Sequence, residues 1–107
     1  MTTTEGKALI LDASAFIAGF DPLSVAEEQY SVPGVRRELV SNPLPWVRFK
    51  TAVEGGRLKV EAPTSRSLRR AREASRTVGD ARFLSDADLQ VLVLALELRM
   101  KAMIHIL

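Results

Sequence analysis

Lys7-Ala8-Leu9-Ile10-Leu11-Asp12-Ala13-Ser14-Ala15-Phe16-Ile17 is the stretch that decides the fold. Lys7 to Leu11 is a short run dominated by Ala, Leu and Ile between Gly6 and Asp12, which suits a strand buried on both faces. Asp12 stands where that strand ends. Ser14 is then expected to cap a short helix through Phe16, Ile17 and Phe20, and Asp21-Pro22 to stop it. Strand, turn and helix in so few residues open an α/β pattern.

Working outward, Asp21 to Ser31 reads as a loop. Ser31, Pro33 and Glu38 mark a second helix with Val32, Val35 and Leu39 on one face. Asn42-Pro43-Leu44-Pro45 breaks the chain, and Trp46, Val47, Phe49, Ala52 and Val53 predict a third, packing helix closed by Gly55-Gly56. Leu58 to Ala62 fits another strand. An arginine-rich helix follows over Thr64 to Val78, with Leu68, Ala71, Ala74 and Ser75 as a narrow inward stripe and Gly79-Asp80 as its stop. Ser85 opens the strongest helix, carried by Leu89, Leu92, Val93, Leu96 and Met100 with Arg99 and Lys101 near its end. Ala102 to Leu107 reads as strand again.

Short apolar strands separated by helices predict an α/β fold, a short parallel sheet with helices on both faces, because parallel neighbours need crossover connections. Ligands of such sheets gather at the carboxyl ends of the strands. Asp12 and the first turn of the helix at Ser85 are both expected at that edge.

At 107 residues and 47% hydrophobic, the chain is the size of one domain with a single core. It has no cysteine and one histidine, His105, so thiolate zinc sites and disulfides are excluded and any metal must sit on oxygen ligands. The apolar run Val91 to Leu96 is too short to span a bilayer, and the N-terminus lacks a basic n-region; no membrane partner and a cytoplasmic location are expected. A formal net charge of +2 is ordinary, but its distribution is not: Arg66, Arg69, Arg70, Arg72 and Arg76 cluster, apart from Asp12, Glu38, Asp86 and Asp88.

Each acid has an ordinary structural explanation. Asp12 can cap the helix after it. Glu38, between Arg36-Arg37 and Leu39-Val40, can be a boundary residue making surface pairs. Ser85-Asp86-Ala87-Asp88 resembles a capping box, with both aspartates favoured by the helix dipole. If they converged, their mutual repulsion would call for a hard divalent cation.

These segments together resemble the PIN-domain ribonucleases. Leu9-Ile10-Leu11-Asp12-Ala13-Ser14-Ala15-Phe16-Ile17 resembles their opening strand, Val32-Pro33-Gly34-Val35-Arg36-Arg37-Glu38-Leu39 their glutamate helix, and Leu84 to Leu98 their third acidic motif. The last two are closest to the Nob-type endonucleases that process the 3' end of small-subunit rRNA. The resemblance implies a PIN-like three-layer sandwich, a single domain over residues 1–107, and catalytic roles for Asp12, Glu38 and Asp88. It also implies a Mg2+ or Mn2+ site using Asp12, Asp88, Glu38 and Asp86, with Ser14 hydrogen-bonding behind it. The implied reaction is metal-assisted hydrolysis of an RNA phosphodiester, the RNA being pre-rRNA of the small-subunit precursor.

The family's further aspartates, after the strand that follows the third motif, have no counterpart here. The expectation is therefore a domain incomplete at its C-terminus. Arg66, Arg69, Arg70 and Arg76 lie broadly along one helix side, with Arg72 offset, and are either an RNA-phosphate surface or a solvated face. Two other readings stay open: a toxin-type PIN ribonuclease, and a catalytically inactive RNA- or protein-binding module. For the latter, a second copy or a partner strand is expected to pair along the C-terminal strand edge.

Overall fold

The computed structural model describes residues 2–5, 8–78 and 85–106, with side chains over 8–74 and 85–99. Two strands come first, Thr2–Glu5 (β1) and Ala8–Leu11 (β2), paired antiparallel with Thr2 opposite Leu11 and Glu5 opposite Ala8. Helix α1, Ala13–Ile17, starts directly after Asp12. A 3-10 turn at Pro22–Ser24 leads into β3, Glu28–Ser31, and then α2, Pro33–Leu39, and α3, Pro43–Glu54. Strand β4 is Leu58–Val60, followed by α4, Ser65–Val78, and α5, Asp86–Ile106.

The sheet order is β1-β2-β3-β4, with β2, β3 and β4 mutually parallel. The fold is therefore α/β, a three-stranded parallel sheet flanked by helices, as the alternating pattern predicted.

Four local expectations are settled or corrected. Of the two caps the sequence offered for α1, Asp12 is the one used and Ser14 is not, because the helix begins one residue beyond the strand and the first side chain able to accept its free N–H groups is the aspartate. The segment read as a loop over 21–31 ends in β3, whose buried positions are polar. Gln29 is 1% exposed and Ser31 0%. Gln29 Nε2 donates to the Pro22 carbonyl at 2.8 Å and Ser31 Oγ to the Leu11 carbonyl at 2.8 Å, bonds to residues remote in sequence that no apolar periodicity reveals. Strand β1 was not expected. Finally, Ala102 to Ile106 continues α5 instead of forming a strand: no Gly, Pro or Asn interrupts the chain after Ser85, and Met100-Lys101-Ala102-Met103 are good helix formers. The C-terminal strand edge expected to recruit a partner is thus helical through Ile106. Leu107 and the Gly79-Asp80 stop lie outside the described residues.

Elsewhere the patterns hold. Pro43 and Pro45 open α3, where a missing N–H costs nothing, and Gly55 is its C-cap. Phe49 meets Phe16 edge-on at 5.4 Å and stacks on Trp46 at 5.9 Å, making Trp46 the packing residue expected. Ile10, Leu11, Val32, Val35, Leu39, Leu58, Val91 and Leu94 complete the centre of the core.

Strand register places Ala8, Ile10, Glu28, Tyr30 and Lys59 on one sheet face and Leu9, Leu11, Gln29, Ser31 and Leu58 on the other. On the first face Tyr30 O–H donates to Glu28 Oε1 at 2.6 Å, and Lys59 Nζ donates to the same oxygen at 3.0 Å. Those bonds, Tyr30's first, hold the Glu28 carboxyl below its usual range. The hydrogen bond to Glu28, with burial and the nearby carboxylates, pushes the Tyr30 phenol up to about 12. A raised phenol means that the stability it lends is intact below its ordinary value of 10.0 and is lost as pH climbs toward about 12. Tyr30 is the single tyrosine of the chain, so phenolate absorbance reports on it alone. Its titration midpoint is expected well above that of free tyrosine; an ordinary midpoint in the folded chain would mean the Glu28 contact is not kept in solution.

Candidate active site

Asp12 sits at the carboxyl end of the central strand β2, half-buried. Its Oδ1 accepts from the Ser14 hydroxyl at 2.6 Å and from the Ala15 N–H at 3.3 Å. Burial works to raise its pKa, but the hydrogen bonds it accepts, those from Ser14 and Ala15 among them, outweigh burial and leave the carboxyl below its usual value. Asp12 is therefore an anion at neutral pH, fixed in direction by its own helix.

Next to it, α2 leaves the end of β3 and its first turn meets the first turn of α5. The Gly34 N–H donates to Gln90 Oε1 at 2.8 Å in a buried bond. A methyl group added at Gly34 would stand 2.8 Å from Ala87 Cα and 2.9 Å from its Cβ, so only glycine permits this approach.

Because Ala87 faces α2, its neighbours in α5 flank the contact on opposite sides, as residues two apart in a helix do. Asp88 and Ser85 complete the expected capping box: Asp88 N–H donates to Ser85 Oγ at 3.1 Å and Ser85 N–H to Asp88 Oδ2 at 3.3 Å. Asp86 turns instead toward α4, where Arg72 Nη2 lies 3.4 Å from its Oδ1. Glu38 is exposed on α2, one turn beyond Gly34 and on the same side of the helix.

Helix α4 runs back along α5, and two side-chain links between them stand among the described residues. Glu97 accepts from the Thr64 N–H at 3.2 Å and the Thr64 hydroxyl at 2.9 Å, and Thr64 Oγ1 accepts from the Ser67 N–H at 3.2 Å, capping α4. The Arg72 to Asp86 pair is the other link. Arg66, Arg69 and Arg70 are exposed on α4; the Arg76 side chain lies outside the described residues. Arg72 lies off the basic stripe that helical spacing predicts, and no motif in the sequence marks Gln90, Gly34 or Glu97 as site residues. The available signal for Gln90 and Glu97 was their position as the polar residues that bound the apolar run Val91 to Leu96 of α5.

Residues 9–98 match the family model of the PIN domain of ribonuclease. The chain is a PIN-domain protein. This PIN domain is 35% identical over 92 residues to "Endoribonuclease Nob1" of Methanocaldococcus jannaschii, covering 86% of the chain and 44% of that protein. It is 36% identical over 91 residues to "Endoribonuclease Nob1" of Pyrococcus abyssi, covering 85% and 53%. It is also 39% identical over 95 residues to "Ribonuclease VapC3" of Aeropyrum pernix, covering 89% and 67%. The chain thus spans about half the length of the Nob1 relatives it matches.

Asp12, Glu38, Asp86 and Asp88 offer the oxygen donors that a hard divalent cation takes. Their elements converge on the carboxyl edge of the sheet, yet among the described residues no three His, Cys, Asp or Glu side chains gather around one point. The donor chemistry fits such an ion, while each carboxylate other than Glu38 is engaged in a local bond. No helix among the described residues is long and apolar enough to cross a membrane.

Two substitutions test this arrangement. Gly34→Ala is expected to destabilise the chain by about 1–3 kcal/mol through overpacking against Ala87, and Ser85→Ala by about 1 kcal/mol through loss of the α5 cap. Urea unfolding followed by circular dichroism reads both; a neutral Gly34→Ala would mean that α2 and α5 do not meet as described.

Proposed function

We propose that this PIN domain is a Mg2+- or Mn2+-dependent endoribonuclease, with Asp12, Glu38 and Asp88 as the catalytic acids, Asp86 as an accessory ligand and Ser14 as the group that orients Asp12. Small-subunit rRNA 3'-end maturation on a pre-rRNA substrate is the role we assign it, by similarity to the two Nob1 endoribonucleases. The observation that carries the reading is the arrival of three acid-bearing elements, separated in sequence, at one sheet edge around the Gly34 contact.

The residues divide the work. Asp12, rigid at the end of β2, holds one carboxylate oxygen in a direction set by Ser14 and Ala15. Asp88 brings a second carboxylate from the first turn of α5, where the helix dipole favours an acidic side chain. Glu38 adds a third from α2. The chemistry an ion supplies when bound there is activation of water and neutralisation of charge on the scissile phosphate. Arg66, Arg69, Arg70 and Arg76 engage backbone phosphates of the RNA, as guanidinium forks suit.

The 39% identity to VapC3 supports a second reading, a toxin-type PIN ribonuclease acting on another RNA. An inactive module that binds RNA or a protein is the remaining alternative.

Calorimetry with Mn2+ on the parent chain, Asp12→Asn and Asp88→Asn, with an RNA cleavage assay on the same samples, decides among these. Asparagine keeps the capping acceptor while removing the charge, so folding is expected to persist. Each variant is expected to bind Mn2+ more weakly by at least the about tenfold that loss of an outer-shell partner costs, and to lose cleavage. A folded parent chain that binds no Mn2+ would overturn the metal-dependent reading, and binding without cleavage would favour the inactive module. Cleavage of small-subunit rRNA precursor in preference to tRNA would support the maturation role over the toxin-type one.

A further inference from the structure

Two guanidinium groups of α4, Arg69 and Arg72, line a cavity of about 330 Å³ together with Ser65, Leu68 and Glu73. Arg72 also reaches out of α4 to Asp86 on α5, at 3.4 Å, with side chains 46% and 73% exposed. Exposed pairs of this length hold little energy and yield easily to a better partner. A phosphodiester offers one: two in-plane acceptors for the Arg72 fork, with Arg69 one turn away along the same side of the helix.

We infer that the α4 cavity is a subsite for one phosphate of an RNA backbone, and that Arg72 exchanges the Asp86 carboxylate for that phosphate when RNA binds. This rests on the ribonuclease reading above and adds a coupling to it. Seating the phosphate leaves Asp86 without its cation, at the edge where Asp12 and Asp88 also stand. Filling the subsite and releasing an acid toward the metal-binding edge are then one event. The Thr64 to Glu97 clamp keeps the other end of α4 seated on α5 while Arg72 changes partner. Glu73, on the cavity wall, opposes the phosphate and limits its affinity.

The test is fluorescence anisotropy of a labelled single-stranded oligoribonucleotide with the full 107-residue chain, in EDTA so that nothing is cleaved, over a range of salt concentrations. Asp86→Asn removes the competing charge and is expected to tighten binding about threefold, the scale of an exposed ion pair. Arg72→Gln is expected to weaken binding and to lower the log-log salt slope by about 0.7, one phosphate contact on a single strand. In the Arg72→Gln background, Asp86→Asn is expected to have no further effect, because Asp86 acts through Arg72. Tightening that persists in that background is general charge repulsion and overturns the exchange. Unchanged affinity in Arg72→Gln, with Arg66→Gln or Arg70→Gln weakened, overturns the subsite while leaving RNA binding intact. A folded parent chain that binds no RNA overturns both this inference and the ribonuclease reading.

Discussion

The contact between Gly34 and Ala87 is the constraint on which the arrangement of the acidic edge depends. Two helices from distant parts of the chain touch through a residue without a side chain, and the buried Gly34 N–H is satisfied by Gln90 at 2.8 Å. The first residue of a helix region has N–H groups that its own helix cannot satisfy, and here one of them becomes the link to α5. The contact is unforgiving in both directions. Any Cβ at Gly34 collides with backbone, and loss of the Gln90 carbonyl leaves a buried donor unpaired. Through it the direction of α2, and hence of Glu38, is tied to the first turn of α5 and hence to Asp86 and Asp88.

Around that contact the carboxylates have two kinds of work. Asp12 caps α1, Asp88 closes the capping box that Ser85 opens at α5, and Asp86 pairs with Arg72. These local bonds make the negative charges tolerable at the end of a buried strand and at a helix terminus. They also fix where the charges point. The structural explanation holds for Asp12 as a helix cap and for Asp88 in its capping box, while Asp86 turns to Arg72. The arginine helix is placed by the same logic, since both described links to α5 end on acidic side chains of α5 itself.

The successes and failures of the sequence reading have physical causes. Helices α3, α4 and α5 were legible because their signals are local: prolines in a first turn, a glycine after the last, a Ser85 to Asp88 box, apolar residues at helical spacing. Strand β2 was legible because it is buried on both faces and wholly apolar. Strand β3 was not, because Gln29 and Ser31 are buried through hydrogen bonds to Pro22 and Leu11, so burial left no hydrophobic trace. The cap of α1 stayed divided between Asp12 and Ser14 because both are good caps, and in the fold they bond to each other. The end of α5 was misread as strand because a short apolar run carries no decisive period.

The α/β class, the elements that carry the acids and the membership of a ribonuclease family were determined by sequence alone, since each rests on residues close together in the chain. That Arg72 pairs with Asp86, that Gln90 satisfies the Gly34 N–H, and that Gly34 rather than any neighbour governs the approach of α2 to α5 were decided only by tertiary structure. The reason is that these are contacts between residues 14 to 56 positions apart, whose partners are selected by packing and by the need to satisfy buried polar groups, and neither is written in any local window of the chain.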